Sequence, residues 1–159
     1  MIVAPIPLPD PDAAPEISLA VRLICALLLV ITMMIVHGGG IVAVTRLLRL
    51  RPKDLVAHEV DMRAFGLLTL IAFCLFTIHV LEITIFAIFY RIVGALRDFE
   101  TALYFSVSAY TTLGQPDLGF PDDWRLVGAF EGLIGFLLIG WSTAVFITDI
   151  NKLLRPQDQ

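Results

Sequence analysis

The sequence predicts an all-α membrane protein with three transmembrane helices, and two observations lead to that fold class. Of the 159 residues, 58% are hydrophobic and only 16% are charged. In soluble domains, about a quarter of all residues are charged. Three apolar stretches reach the length of about 20 residues that crosses a bilayer. They run from about residue 18 to 44, from 64 to 95 and from 125 to 149.

A fourth segment, residues 98–114, differs in character from the three spans. It is too apolar for an ordinary loop, yet it carries too many hydroxyl groups for a helix surrounded by lipid. Irregular backbone at membrane depth is tolerated only where protein or a water-filled path surrounds it. We therefore expect a short re-entrant helix that enters the membrane and returns to the same side. Its polar residues are Tyr104, Ser106, Ser108, Tyr110, Thr111 and Thr112.

The charges predict the orientation of the chain in the membrane. Five basic residues lie in the connector 46–63, and Lys152 and Arg155 follow the third span. Since cytoplasmic loops carry an excess of Lys and Arg, we expect the N-terminus outside and the C-terminus in the cytoplasm. The protein would be an integral membrane protein, with the lipid bilayer as a partner. No basic cluster is long enough to indicate nucleic acid binding.

The remaining segments give weaker indications. The start of the chain lacks the positive region of a signal peptide. Because it is rich in proline and acidic residues, we expect an extended tail there. Between the first two spans, the pattern after Pro52 predicts a short amphipathic helix along the inner membrane surface, with a solvated loop as the alternative. Cys25 and Cys74 lie inside apolar runs and are interpreted as small buried residues rather than a disulfide or metal site.

One stretch carries a family resemblance. Residues 102–118 read ALYFSVSAYTTLGQPDL, Trp124 follows, and the last span carries Gly135 and Gly140 before Ser142-Thr143-Ala144. In order and spacing, this resembles the pore helix, selectivity filter and inner helix of potassium channels. The resemblance covers about residues 65–150. It also resembles small bacterial channel-domain proteins with one additional N-terminal span.

The resemblance implies a homotetrameric cation channel that lets K⁺, or monovalent cations with weak selectivity, flow passively. It implies no enzyme activity and no cofactor other than the permeant K⁺ or Na⁺. The implied filter residues are Thr112, Leu113, Gly114, Gln115, Pro116 and Asp117. The implied pore-helix residues, which precede the filter in the sequence, are Tyr104, Ser108 and Thr111. The implied cavity and gate residues are Gly135, Phe136, Ile139, Gly140, Thr143 and Ile147.

The domain organisation follows from the spans and the resemblance. We predict an acidic extracellular or periplasmic tail over 1–16, an additional transmembrane helix with its amphipathic connector over 17–63, a pore domain over 64–154 and a cytoplasmic tail over 155–159. Within the pore domain, the outer helix would cover 64–96, the pore helix 98–112, the filter 112–117 and the inner helix 124–152.

The filter departs from the family pattern in its outer half. Where the family has TVGYGD, this chain has TLGQPD at residues 112–117. Pro116 fixes its own φ and biases Gln115 toward extended conformations, and the usual aromatic brace is replaced by Gln115. We therefore expect the two outer ion sites to be altered or missing. A potassium-selective pore, a weakly selective cation pore and a non-conducting pore-fold protein all stay open.

Charged and polar residues elsewhere give further candidates. Asp117, Asp122 and Asp123 would either concentrate cations at an outer mouth or be ordinary loop charges. Glu131 lies within the third span and needs a partner, with Ser108 or Tyr110 as candidates for a bond behind the filter. A carboxyl group at this position is either a structural acid or part of the gate.

Two histidines and a glutamate form another candidate group. His79 and Glu82 lie at i and i+3 on the second span and share a helix face. Together with His37 on the first span they could bind a metal or form an intramembrane metalloenzyme, but polar contacts between helices are the interpretation that we favour. His58 joins the two histidines as a candidate for pH control. The run Gly38-Gly39-Gly40 permits either close helix packing or a local break.

Overall fold

The computed structural model describes residues 17–49, 62–114 and 120–154. Within them the chain forms four α-helices and no strand, so the predicted all-α class is confirmed. The predicted connector helix, both tails and the filter positions Gln115, Pro116 and Asp117 lie outside the described residues. The helices are α1 (Leu19–Arg49), α2 (Met62–Ile92), α3 (Phe99–Tyr110) and α4 (Arg125–Leu154), with a 3-10 turn at Asp122–Trp124 before α4.

Three of the helices are long and apolar enough to span a membrane. The spans are Leu19–Arg46 in α1, Phe65–Ile92 in α2 and Asp122–Asn151, which begins in the 3-10 turn and continues through α4. Each has at least 28 residues, which at about 1.5 Å per residue exceeds the hydrocarbon core of about 30 Å. The chain is therefore an integral membrane protein. With 12 residues, α3 is only about 18 Å long and cannot cross.

The connection from α2 to α3 is a capped turn. The N–H of Ala95 donates to the carbonyl of Tyr90 (2.9 Å) and that of Gly94 donates to Arg91 (3.2 Å), while Gly94 has φ +72°. This is a Schellman motif, in which glycine adopts the left-handed conformation at low cost. It ends α2 at Ile92, four residues before the predicted end at 96.

The start of α3 is set by an N-cap. The carboxylate of Asp98 accepts a hydrogen bond from the backbone N–H of Thr101 (2.8 Å) and another from its hydroxyl (2.7 Å). An aspartate at this position satisfies an N–H group that has no partner within the helix. The bond from the Thr101 N–H favours the ionised form and lowers the pKa of Asp98.

From this cap, α3 runs back alongside α2. The ring of Phe105 meets that of Tyr90 edge to face, with centroids 5.2 Å apart, and the hydroxyl of Ser106 donates to the carbonyl of Ile83 (2.8 Å). At its end, the Tyr110 hydroxyl reaches Glu82, ten residues before the end of α2. The C-terminus of α3 therefore lies beside the middle of α2, about 15 Å from the α2 end measured along the helix.

Two glycines let α4 pack directly against the end of α3. A Cβ at Gly135 would overlap the carbonyl oxygen and ring of Tyr110, and one at Gly132 would lie 3.1 Å from the carbonyl oxygen of Ala109. Side chains of ordinary size would force the two helices apart. The face of α4 that contains these contacts is buried, and its members recur every three or four residues: Val127, Glu131, Ile134, Leu138 and Ser142.

The additional helix α1 packs against α2 and α4. It runs without interruption through Gly38–Gly40, so of the two interpretations of this run a local break is wrong. Close packing is observed at Gly40, where an added Cβ would lie 2.5 Å from the Cδ1 of Ile78. At the other end of α1, the guanidinium of Arg22 forms an ion pair with Asp123, which ties α1 to the start of the third span.

Aromatic rings fasten the segment that leads into α4. Phe120 stacks on Phe105 with centroids 3.9 Å apart and planes 8° apart. Trp124 meets Phe89 edge to face at 5.3 Å. Such pairs contribute about 0.5–1.5 kcal/mol each beyond the area that they bury. They hold the chain beyond the loop against α2 and α3, so both ends of the loop are anchored.

Replacing Gly135 with alanine should destabilise the protein by about 1–3 kcal/mol, because the methyl group overlaps the Tyr110 backbone. Gly140→Ala is the matched control on the same helix, since a Cβ there meets nothing within 4 Å among the described residues. It should be neutral or slightly stabilising because alanine has the higher helix propensity. Thermal unfolding in detergent measures both, and equal stability of the two variants would contradict the close packing of α3 and α4.

Candidate functional site

Among the described residues, the one non-glycine residue with a positive φ follows α3 closely. The N–H of Leu113 donates to the carbonyl of Ser108 and that of Thr112 donates to Ala109, both at 3.0 Å. This is a second Schellman motif, but its left-handed position is occupied by Thr112, with φ +60°. A β-branched residue there costs roughly 1–2 kcal/mol. Strain of this size concentrates at functional sites.

This turn also orients the carbonyl groups of the predicted inner filter. In a trans peptide unit the N–H and the C=O point in opposite directions. Because the N–H groups of Thr112 and Leu113 point back at α3, the carbonyl oxygens of Thr111 and Thr112 point away from it. Gly114 also has a positive φ, +110°. Residues 111–114 are exposed, so these carbonyls are available to a ligand or an ion.

Behind this turn, a polar cluster joins all four helices in the middle of the membrane domain. We call it the histidine cluster; its members are His37 of α1, His79 and Glu82 of α2, Tyr110 of α3 and Ser142 of α4. The Tyr110 hydroxyl donates to Oε2 of Glu82 (2.5 Å) and lies 2.9 Å from Nδ1 of His79. The other carboxylate oxygen, Oε1, lies 3.0 Å from Nδ1 of His37. The carboxylate of Glu82 thus joins α1, α2 and α3, and α4 is joined to them through Ser142, whose hydroxyl lies 3.3 Å from Nε2 of His37.

The histidine cluster is shielded from solvent. His37 and Glu82 have no exposed surface, and the side chain of His79 is 16% exposed. An isolated carboxylate in such surroundings would be very costly, and hydrogen bonds reduce that cost. The His37–Glu82 contacts agree with the favoured prediction of polar contacts between helices. The three residues also bring one potential ligand atom each to within 4.8 Å of one another.

A second buried network, the glutamate network, surrounds Glu131. The hydroxyl of Tyr90 donates to Oε2 of Glu131 (2.7 Å), and Oε1 is hydrogen bonded to the hydroxyl of Ser106. The expected partners Ser108 and Tyr110 are wrong. Ser108 instead donates to the Tyr104 carbonyl of its own helix (2.9 Å), because Ser106 and Ser108 are about 200° apart around α3 and only Ser106 faces α4.

The hydrogen bonds of this network indicate a neutral carboxyl group. Ser106 has a single hydroxyl hydrogen, which it donates to the carbonyl of Ile83. Its bond with Glu131 is then complete if the carboxyl group carries the proton and donates it. Within the described part of the chain, the hydrogen-bond partners of Glu131 are Tyr90 and Ser106, and neither carries a positive charge. A neutral acid also avoids the cost of a buried charge.

The other predicted site residues fall into two groups. Tyr104 is 59% exposed, and the hydroxyl of Thr111 donates to Val107 within the same helix (2.7 Å). Gly135 lies in the contact between α3 and α4, whereas Gly140 lies in open space. The predicted cavity residues are not brought into the core: Phe136, Ile139, Thr143 and Ile147 are exposed or partly so on the single chain.

Two acidic residues between α3 and α4 already have partners. Asp123 pairs with Arg22, and Asp122 lies 2.8 Å from Arg125. The second pair is 84% and 63% exposed, so it adds little stability. These contacts reduce the net negative charge that Asp122 and Asp123 present, which leaves Asp117, outside the described residues, as the stronger candidate for attracting cations.

Sequence reasoning missed Tyr90 and Ser142 as network members and did not pair Arg22 with Asp123. A signal for Tyr90 exists, because Glu82, Phe86 and Tyr90 recur every four residues and share one helix face. All three are buried. For Ser142 the signal is a hydroxyl on the same face as Glu131, at helical spacing. No local pattern indicates the Arg22–Asp123 pair, since 101 residues separate them.

Comparison with known proteins identifies the segment that contains these features. Residues 75–152 match the model of a family described as "Ion channel". The matched segment includes most of α2, all of α3, the loop and nearly all of α4. No curated protein and no solved structure matches the chain.

Replacing Glu131 with glutamine should change stability by less than about 1 kcal/mol, because an amide donates to Ser106 and accepts from Tyr90 as a neutral acid does. Glu131→Leu should cost about 1–3 kcal/mol, since it leaves the two hydroxyls unpaired. Glu100→Leu, at an exposed position in α3, is the control for changing a glutamate.

Thermal unfolding in detergent measures these effects. Infrared spectroscopy should also show a protonated carboxylic acid in the wild type that Glu131→Gln removes. A strongly destabilised Glu131→Gln variant together with no such infrared band would contradict the neutral state.

Proposed function

Because residues 75–152 belong to an ion-channel family, we propose that this protein is a cation channel whose pore is formed by residues 111–117 of several chains. K⁺ is the permeant ion that the family resemblance favours, and flow is passive, driven by the electrochemical gradient. Weak selectivity among monovalent cations is the close alternative for this particular filter.

The observation that carries the proposal is the position of the turn after α3. Tyr110 is hydrogen bonded to Glu82, which lies in the middle of the span Phe65–Ile92. The backbone that follows is irregular and exposed on the single chain. In lipid, such backbone would leave polar groups unsatisfied, so other protein or water has to surround it. A re-entrant helix ending at a shared aqueous pore supplies both.

A homotetramer is the assembly that follows from this position. One chain contributes one turn, and a closed ring of identical chains requires cyclic symmetry. Four copies match the potassium-channel filter, in which four loops supply the coordinating carbonyls. Apolar side chains next to the turn, including Leu113 and Phe136, are 81% and 64% exposed. Contacts with neighbouring subunits or with the cavity would account for these surfaces.

The chemistry of permeation would rest on backbone carbonyls. The oxygens of Thr111 and Thr112 point away from α3, and in a four-fold ring they would replace part of the hydration shell of a cation. The strained φ of Thr112 supports a functional role for this turn. Phe136, Ile139, Thr143 and Ile147 would line the cavity below it. A Cβ at Gly140 meets no described residue within 4 Å, so Gly140 is the better candidate for a gate hinge than Gly135, which is held against Tyr110.

The proposed orientation places the filter entrance outside the cell. The N-terminus would be extracellular or periplasmic and the C-terminus cytoplasmic in a bacterial inner membrane, as the distribution of Lys and Arg favours. Asp117 would then lie at the outer mouth, where four copies of a carboxylate raise the local cation concentration.

The proposal is tested by reconstituting the purified protein in liposomes and planar bilayers. We expect currents carried by K⁺ in a K⁺/Na⁺ bi-ionic measurement, with protein-free membranes as the control. Cross-linking in the same membranes should give a tetramer. A tetramer that carries no current under any ionic gradient would show the non-conducting alternative, and a monomer would contradict the proposed pore.

A double substitution in the outer filter tests which positions limit selectivity. Gln115→Tyr with Pro116→Gly restores the family pattern, so it should shift the bi-ionic reversal potential toward K⁺ by raising the K⁺/Na⁺ permeability ratio severalfold. Asp117→Asn is the matched control because it leaves the two substituted residues intact. It should lower conductance most at low salt, where charge is least screened, without changing the permeability ratio. An unchanged reversal potential in the double variant would overturn this account of the filter.

A further inference from the structure

We propose that His37, His79 and Glu82 form a binding site for one divalent transition-metal ion of the zinc type. The site lies where α1, α2, α3 and α4 meet, in the middle of the membrane domain. It would be a structural clamp that ties the additional helix α1 to the helices of the pore domain. Metal binding does not require that the protein conducts ions, so it goes beyond the proposed channel function.

The ligand atoms already lie close to the arrangement that zinc requires. Nδ1 of His37 is 3.0 Å from one oxygen of Glu82, and Nδ1 of His79 is 3.3 Å from the other. The three ligand atoms all lie within 4.8 Å of one another. Bonds of about 2.0–2.2 Å in a tetrahedral site put neighbouring ligands about 3.4 Å apart. Small rotations of these side chains are therefore sufficient to admit the ion.

Two further side chains provide the outer hydrogen bonds that metal ligands usually have. The Ser142 hydroxyl lies 3.3 Å from Nε2 of His37. A hydroxyl both donates and accepts, so this contact persists when Nδ1 binds the ion and Nε2 carries the hydrogen. The Tyr110 hydroxyl donates to Glu82 (2.5 Å), which orients the carboxylate. The fourth position of the ion would be taken by a water molecule.

The charge of the cluster favours a cation. Among the groups that contact Glu82, His37 faces it from α1, His79 from its own helix and Tyr110 from α3; Ser142 of α4 contacts His37. None of these carries a permanent positive charge. A fully buried carboxylate without such a charge is costly, and a bound divalent ion supplies it. Imidazole and carboxylate ligands suit zinc and the neighbouring first-row ions.

The clamp would also act on the proposed pore. Tyr110 is the last residue of α3, and residues 111–114 follow it directly. Holding the Tyr110 hydroxyl beside the metal ligands would fix the base of the filter, so chelation should alter channel opening. This consequence rests on the proposed channel function, whereas metal binding itself does not.

The test measures metal content of the full-length protein in detergent after dialysis with Zn²⁺ alone. We expect about one Zn²⁺ per chain in the wild type by elemental analysis, and loss of that ion in His79→Gln and in Glu82→Gln. His58→Gln is the matched control because it removes the third histidine of the chain and leaves the cluster intact. Ser142→Ala should retain the stoichiometry but weaken Zn²⁺ affinity about tenfold or more.

A second measurement on the wild type does not depend on how the variants fold. Saturating Zn²⁺ should raise Tm by about 5 °C, and a chelator should reverse the shift. Because protons compete with the metal for its ligands, Zn²⁺ affinity should fall as the pH is lowered. The proposal is overturned if the wild type binds no Zn²⁺ or if the same Zn²⁺ content persists in Glu82→Gln. Neither outcome would bear on whether the protein conducts ions.

Discussion

Inside a bilayer, a polar group that finds no partner within the protein costs several kcal/mol, and the membrane domain is arranged around this constraint. Two carboxyl groups, those of Glu82 and Glu131, lie in the interior of largely apolar spans, and each is fully buried. Glu82 and Glu131 are hydrogen bonded to side chains of other helices. In both cases α3 supplies one of the partners, through Tyr110 to Glu82 and through Ser106 to Glu131. The short helix is consequently fixed between α2 and α4 by bonds whose loss would leave a buried acid unpaired.

Fixing α3 in this way also fixes the turn that follows it. The turn begins next to Tyr110, whose hydroxyl is held by the histidine cluster and whose backbone rests against Gly135. A rigid support of this kind can sustain the left-handed conformation of Thr112, which an unsupported chain would relax. The same geometry points successive carbonyl oxygens away from the helix. A site that is to replace the hydration shell of an ion needs both properties, because its ligands have to be in place before the ion arrives.

The additional helix α1 is an integral part of this arrangement rather than a separate anchor. It contacts the rest of the membrane domain at three positions: through the ion pair of Arg22 with Asp123 at one end, through His37 in the middle and through Gly40 against Ile78 next to it. The first contact lies at the segment that returns from the loop, and the second lies behind the end of α3. A movement of α1 would therefore be transmitted to both ends of the loop. This arrangement gives the helix a direct physical route for influencing the residues of the proposed filter.

The sequence by itself determined the number of spans, the all-α class and the position of the short helix α3, because length and local hydrophobicity decide these features. The order of motifs around Thr112 also predicted the resemblance to channel pores, and residues 75–152 match the model of an ion-channel family. Only the tertiary structure decided which side chains meet. The partner of Glu131 proved to be Ser106 rather than Ser108, and His37 found Glu82 across 45 positions of sequence. Such pairs depend on how each helix is rotated about its axis and on where glycines allow close approach, and no local pattern records the rotation of one helix relative to another.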